Sequence, residues 1–229
     1  QRQMCIRDSS KGDTITIPKD CKISLAPTMN IVSQGLVIKD QNDNEWVWIS
    51  VPEKIFKTAR ADTDYDNIKA DLIEYAKDYR KGGSTQEVEW EDKWYDGCGI
   101  KDADTYTEKY NQMLSSIYSN YGFWIGRYEV GKSGETPVIK ANQEPYASII
   151  WSKAYNLAKS IGGGTGATTY LCSSYAWDTA INFIQNNGTT GYAEQVTGFN
   201  GNWSSQEVKD SSGNTIKPAG TAQRLNTGL

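Results

Sequence analysis

The chain has 229 residues, enough for one large domain or two small ones, and a net charge of −4 with its lysines and arginines scattered among acids. No basic stripe exists to neutralise phosphates, which argues against a nucleic-acid partner, and no apolar run is long enough to span a membrane. The absence of any histidine removes Ser-His-Asp and Cys-His nucleophile pairs and histidine-ligated metals.

Hydrophobic content is a modest 38%, but 8 Trp and 14 Tyr supply large buried area per residue. The cysteines are Cys5, Cys21, Cys98 and Cys172, with no C-x-x-C pair to make a structural zinc site. A Cys98–Cys172 or Cys21–Cys98 disulfide is open in an oxidising compartment. Small thiols, buried or half-exposed, are the more ordinary reading at this density.

Residues 1–9 show neither periodicity nor turn logic and resemble translated sequencing-adaptor sequence. Residues 1–11 are therefore expected to be a non-native or disordered leader, with one domain over 12–229. Thr14-Ile15-Thr16-Ile17-Pro18 alternates like an edge strand ended by proline. Leu36 to Asp40, a Gln41-Asn42-Asp43-Asn44 turn and Glu45 to Pro52 spell a hairpin. Trp46 and Trp48 share one face of its second strand, where two rings either stack on a sugar or, more commonly, cover a sheet.

Residues 53–121 are expected to be a largely helical insert. Tyr65, Ile68, Leu72, Tyr75, Ala76 and Tyr79 mark one helix face, ended by Gly82-Gly83. The aromatic, acidic stretch from Trp90 through Trp94 to Gly99 is a loop whose acids leave calcium possible, although their spacing is not that of an EF-hand. A second helix carries Tyr110, Met113, Leu114, Ile117, Tyr118 and Tyr121 at clean helical spacing and delivers the chain through Gly122.

Gly122 to Gly131 is the strongest strand signal. Phe123, Trp124 and Ile125 demand cover on both faces; then Arg127 and Glu129 share one face and Tyr128 and Val130 the other, with Gly126 leaving room for a bulky neighbour. A helix follows on Trp151, Ala154, Tyr155, Leu157, Ala158 and Ile161, with Ser152 as expected N-cap. Thr168 to Cys172 is expected to be a short strand. Ser173 or Ser174 then caps a helix with Ala176, Trp177, Ala180, Ile181 and Ile184 inward, Trp177 lying against the Gly122–Val130 strand. Beyond Gly188 the chain is rich in Gly, Asn, Ser and Thr, carries isolated Phe199 and Trp203, and shows no strong element.

The order of a Gly-Arg-Tyr-Glu-Val strand (Gly126 to Val130), a Trp-x-x-Ala helix (Trp151, Ala154) and a Ser-capped helix with Trp177 resembles the sulfatase-modifying-factor family. The resemblance spans roughly residues 34–229; the Trp46-Val47-Trp48-Ile49 hairpin and the long helical insert look more like variants from gut Firmicutes and their prophages than like the sulfatase-activating enzymes. The resemblance implies an α+β, C-type-lectin-like fold of the formylglycine-generating-enzyme type, irregular and loop-rich. Gly126, Arg127, Tyr128, Glu129, Trp151, Ala154 and Trp177 would be its structural signature. The segment the family usually writes Arg-Leu-Pro-Thr-Glu-Ala-Glu-Trp-Glu departs here to Cys172-Ser173-Ser174.

Family members close with Gly-Asn-x-Trp-Glu-Trp and Arg-Gly-Gly-Ser segments, where the active oxidases carry two copper-binding cysteines. This sequence stops before those segments, so a C-terminal truncation is expected, with an unpaired sheet edge as its consequence. No catalytic, cofactor or metal residue is assigned, and copper enters only if a further segment carries a cysteine pair. The leading expectation is a non-catalytic recognition domain of a cell-surface, extracellular or virion-associated protein, binding protein or carbohydrate through residues such as Trp90, Trp94, Asn200 and Trp203. The alternatives are a copper-dependent formylglycine-generating oxidase acting on a peptidyl cysteine and a purely structural phage-tail or surface module.

Overall fold

The computed structural model of the chain describes residues 4–7, 14–24, 30–80, 103–162, 167–187, 208–209 and 215–217. In order these residues form β1 (Met4–Arg7), β2 (Thr14–Ile17), β3 (Lys22–Ile23), β4 (Val37–Lys39), β5 (Glu45–Ser50), α1 (Tyr65–Arg80), α2 (Ala103–Asn120), β6 (Gly122–Gly126), β7 (Gly131–Ser133), β8 (Thr136–Val138), β9 (Glu144–Pro145), α3 (Trp151–Ile161), α4 (Ser174–Asn187), β10 (Val208–Lys209) and β11 (Thr215–Lys217). The class is α+β, with antiparallel sheets and four α-helices among the described residues.

The central sheet runs β3-β4-β5-β6. The expected hairpin is its middle, with Ile38 opposite Trp46 and Lys39 opposite Glu45. Asp43 adopts the left-handed backbone that an aspartate tolerates in such a turn (φ 60°). β6 pairs along the other side of β5, setting Trp48 opposite Trp124 and Val47 opposite Ile125.

Strand alternation sorts this sheet into two apolar faces. Val37, Val47, Ile49, Phe123 and Ile125 pack against Ala180 and Phe183 of α4. On the other face, Ile38 and Trp46 join Ile17, Cys21, Ile139 and Ile161, while Trp48 joins Ile15, Val32 and Leu36. The sheet is thus a filled middle layer. The two tryptophans on one strand face are cover for it, with Trp46 9% and Trp48 4% exposed, and the Trp48 and Trp124 rings meet edge-on at 5.1 Å. A separate core holds Val51, Ile68, Leu72, Leu114, Ile117 and Tyr175 and binds α1, α2 and the start of α4 together.

Several expectations are corrected. The strand from Gly122 ends at Gly126 rather than Val130, because β5 supplies no partner beyond Glu45, which accepts a last backbone bond from Arg127 N at 3.0 Å. Gly131 then opens β7, which pairs with β8 and β9 in a small second sheet. The left-handed residue that ends α2 is Tyr121 (φ 52°), not Gly122. Gly122 is needed for proximity: a Cβ there would lie 2.5 Å from Trp48 Cζ2 and 2.6 Å from Ile49 O.

Residues 168–172 form no strand. Thr169 Oγ1 donates to Ala158 O at 2.6 Å and accepts from Gly162 N at 3.1 Å, so the segment serves as a side-chain cap for the end of α3. Ser152 is not an N-cap; α3 begins one residue earlier, after Ile150, and Ser152 is buried in its first turn. Ser173 does cap α4, with Ala176 N donating to its Oγ at 3.2 Å.

Trp177 is 45% exposed rather than inward. The buried stripe of α4 runs through Tyr175, Ala176, Thr179, Ala180 and Phe183, and Asp178 and Asn182 are buried beside it. Trp177 lies on the opposite side of the helix from Thr179, two residues away. At the ends of the chain, Met4–Arg7 is a strand paired with Thr14–Ile17, and Val208–Lys209 pairs with Thr215–Lys217, where no regular element was expected.

Candidate functional site

Two places concentrate polar side chains, and local folding explains each. The first is the corner where β5 begins and β6 ends. Arg127, the first residue past β6, places its guanidinium 2.7 Å from Glu45 Oε2, while Lys39 Nζ lies 3.2 Å from Glu45 Oε1. Burial raises the Glu45 carboxyl, but the hydrogen bonds and charges of Arg127 and Lys39 outweigh it and hold the group below its ordinary value. Arg127 also lies over the Tyr128 ring, at 5.5 Å from its centroid. Burial pushes the Tyr128 phenol up, against the pull of Arg127 and with a contribution from Glu45.

Behind this corner sits Asp40, 5% exposed. Its carboxylate accepts from Asn42 N at 2.8 Å, Asn44 N at 2.9 Å, Asn44 Nδ2 at 2.9 Å and Trp46 Nε1 at 3.3 Å. Asn44 Oδ1 in turn accepts from Ile139 N at 2.8 Å, tying the hairpin to the second sheet. Gly126 admits Ile139 here, since a Cβ on it would stand 3.2 Å from the isoleucine side chain. These acids are therefore fixed parts of the fold. Asp71 of α1 is another, accepting from Thr58 N, Thr58 Oγ1 and Ala59 N at 2.9–3.2 Å.

The second place is an open groove of about 420 Å³ where the start of α1 meets α2. Tyr65 forms one wall; Thr107, Glu108, Asn111 and Gln112 form the other. The two turns of α2 facing the groove carry a hydroxyl, a carboxylate and two carboxamides at i, i+1, i+4 and i+5, one continuous helix face. Gln112 Nε2 donates to Glu108 Oε1 at 3.2 Å, and Tyr170 OH donates to Gln112 Oε1 at 3.5 Å. The capping segment after α3 thereby reaches the groove.

Of the sequence-derived signature residues, the structure brings Gly126, Arg127 and Tyr128 together at the first corner; Glu129 is exposed nearby in sequence. Trp151 stacks on Tyr155 of its own helix at 5.2 Å, Ala154 is half-buried, and Trp177 stands apart on the outer side of α4. Trp90, Trp94, Asn200, Trp203, Cys98 and the Gly82-Gly83 stop all lie outside the described residues.

Cys21 and Cys172 are both free thiols. Burial, with Asp40 and Asp20 adding, pushes Cys21 up to about 11. The sulfur of Cys172 has protein packed around it although the residue reaches the surface, and this desolvation, with the Asp178 charge, pushes it up to about 12. Among the described residues no group of three or more Cys, Asp and Glu side chains is placed to hold a metal ion. No helix among them is long and apolar enough to cross a membrane.

Sequence reasoning missed the groove because its wall reads as the solvated face of an amphipathic helix; only the Thr107-Glu108 and Asn111-Gln112 spacing marks it. Comparison of the chain with protein-family models, with curated proteins and with solved structures finds no match.

Proposed function

We propose that this chain is a non-catalytic recognition domain of a cell-surface or virion-associated protein, on a C-type-lectin-like fold of the sulfatase-modifying-factor type. The observation that carries the reading is the groove between α1 and α2: open to solvent, of small-ligand size, and lined by a phenol ring with a hydroxyl, a carboxylate and two amides. These groups bind by contact and hydrogen bonding.

The chemistry of the remaining groups supports the same reading. The copper-oxidase alternative calls for paired thiolates on the metal. Cys21 is instead packed among Ile17, Ile38, Trp46 and Ile139, and Cys172 precedes the cap of α4. Both thiols stay protonated at neutral pH. Asp40, Glu45 and Asp71 spend their oxygens on the backbone and on Arg127 and Lys39. The test is to present the full chain to immobilised saccharides, peptides and bacterial surface proteins. Selective, saturable retention on one class is expected; retention on none contradicts the proposal.

A further inference from the structure

We infer that the groove between α1 and α2 is a calcium-independent site for a neutral saccharide, an inference that rests on the recognition reading above. Lining chemistry selects the ligand class. A sugar hydroxyl both donates and accepts, and Thr107 Oγ1, the Asn111 and Gln112 carboxamides and Glu108 offer acceptors and donors alternately along one helix face. Tyr65 supplies an aromatic surface on the opposite wall, the counterpart of a sugar ring's C–H face.

Other classes fit worse. Among the described residues no lysine or arginine lines the groove, so a phosphate or sulfate group finds no counter-charge among them beside Glu108. Among the described residues no aliphatic side chain lines it either, so an acyl chain or the apolar face of a peptide helix finds few apolar partners among them. A volume of about 420 Å³ open to solvent suits the end of an oligosaccharide lying on the surface. Calcium is not needed, and the groove is unsuited to it: among the described residues Glu108 is the single carboxylate lining it, already accepting from Gln112, where the ion takes six to eight oxygens.

Gln112 is the residue on which specificity turns. Its amide nitrogen is directed to Glu108 and its oxygen receives Tyr170 OH, so its orientation is set from both sides before a ligand arrives. Tyr65 also packs against the helical core, which holds its ring in place.

The experiment titrates the full chain with neutral cello-, malto-, xylo- and chito-trisaccharides up to about 10 mM, by saturation-transfer NMR and calorimetry. At least one trisaccharide is expected to bind, with unchanged affinity in EDTA. Tyr65→Ala and Gln112→Ala are each expected to weaken it about tenfold, and Trp177→Ala to leave it within about twofold. Because Tyr65 contributes to the core, Gln112→Ala, an exposed position, decides if Tyr65→Ala fails to fold.

Binding that survives both groove variants, or that Trp177→Ala alone abolishes, places the sugar elsewhere and overturns the inference. So does loss of binding in EDTA. Retention by peptides or proteins with no response to any saccharide overturns the inference and leaves the recognition reading standing; retention by nothing at all removes both.

Discussion

Gly122 and Glu45 show how single positions fix the architecture. The backbone of Gly122 passes under the Trp48 ring so closely that any Cβ must displace tryptophan or the Ile49 carbonyl. Gly122→Ala is therefore expected to cost about 1–3 kcal/mol, the range for overpacking a filled core, as a lower midpoint in urea unfolding. Glu45 predicts a pH dependence. Its folded-state carboxyl is held low by Arg127 and Lys39, so its contribution to stability is present above the ordinary carboxylate range and is lost as pH falls through the lowered value. Glu45→Gln should melt below the parent at pH 7, and the gap should narrow as pH falls below the ordinary carboxylate range. A gap that stays constant across that range would show that the carboxylate's charge plays no part.

At the scale of elements, the two kinds of tryptophan make opposite predictions. Trp48→Ala removes a ring buried against Trp124, Ile15 and Leu36 and is expected to cost about 3–5 kcal/mol. Trp177→Ala, on the exposed side of α4, is expected to cost less than about 1 kcal/mol in the same chemical denaturation. Hairpin, helices and the Trp46–Trp48 face were legible because each repeats its period several times, and the repeating side chains are the ones that get buried. Trp177 was misread because α4 breaks that link. Its inward stripe includes Asp178, Thr179 and Asn182, polar groups that the interior accommodates by hydrogen bonding, as Thr179 Oγ1 does to Tyr175 O at 2.7 Å. The segment 168–172 was misread as a strand because β-branched Thr168 and Thr169 favour extended backbone, whereas Thr169 spends its hydroxyl on the end of α3. The groove was illegible for a further reason. Tyr65 and Gln112 are far apart in sequence, and only the packing of α1 on α2 brings them to one opening.

The whole molecule divides its labour. A sheet covered on both faces, by α4 on one side and by β2, α3 and Ile139 on the other, carries stability. Its charged corner at Lys39, Glu45 and Arg127 locks the hairpin to β6. The helical side carries the open groove and with it the proposed recognition. The central claim is that the chain binds and does not react. The most direct measurement is to incubate the purified full chain, with and without copper, with a cysteine-containing sulfatase peptide and to follow aldehyde formation by mass spectrometry. With Cys21 and Cys172, the free thiols among the described residues, both held protonated, no conversion above a metal-only control is the predicted result. Copper-dependent turnover of the peptidyl cysteine to an aldehyde would contradict it.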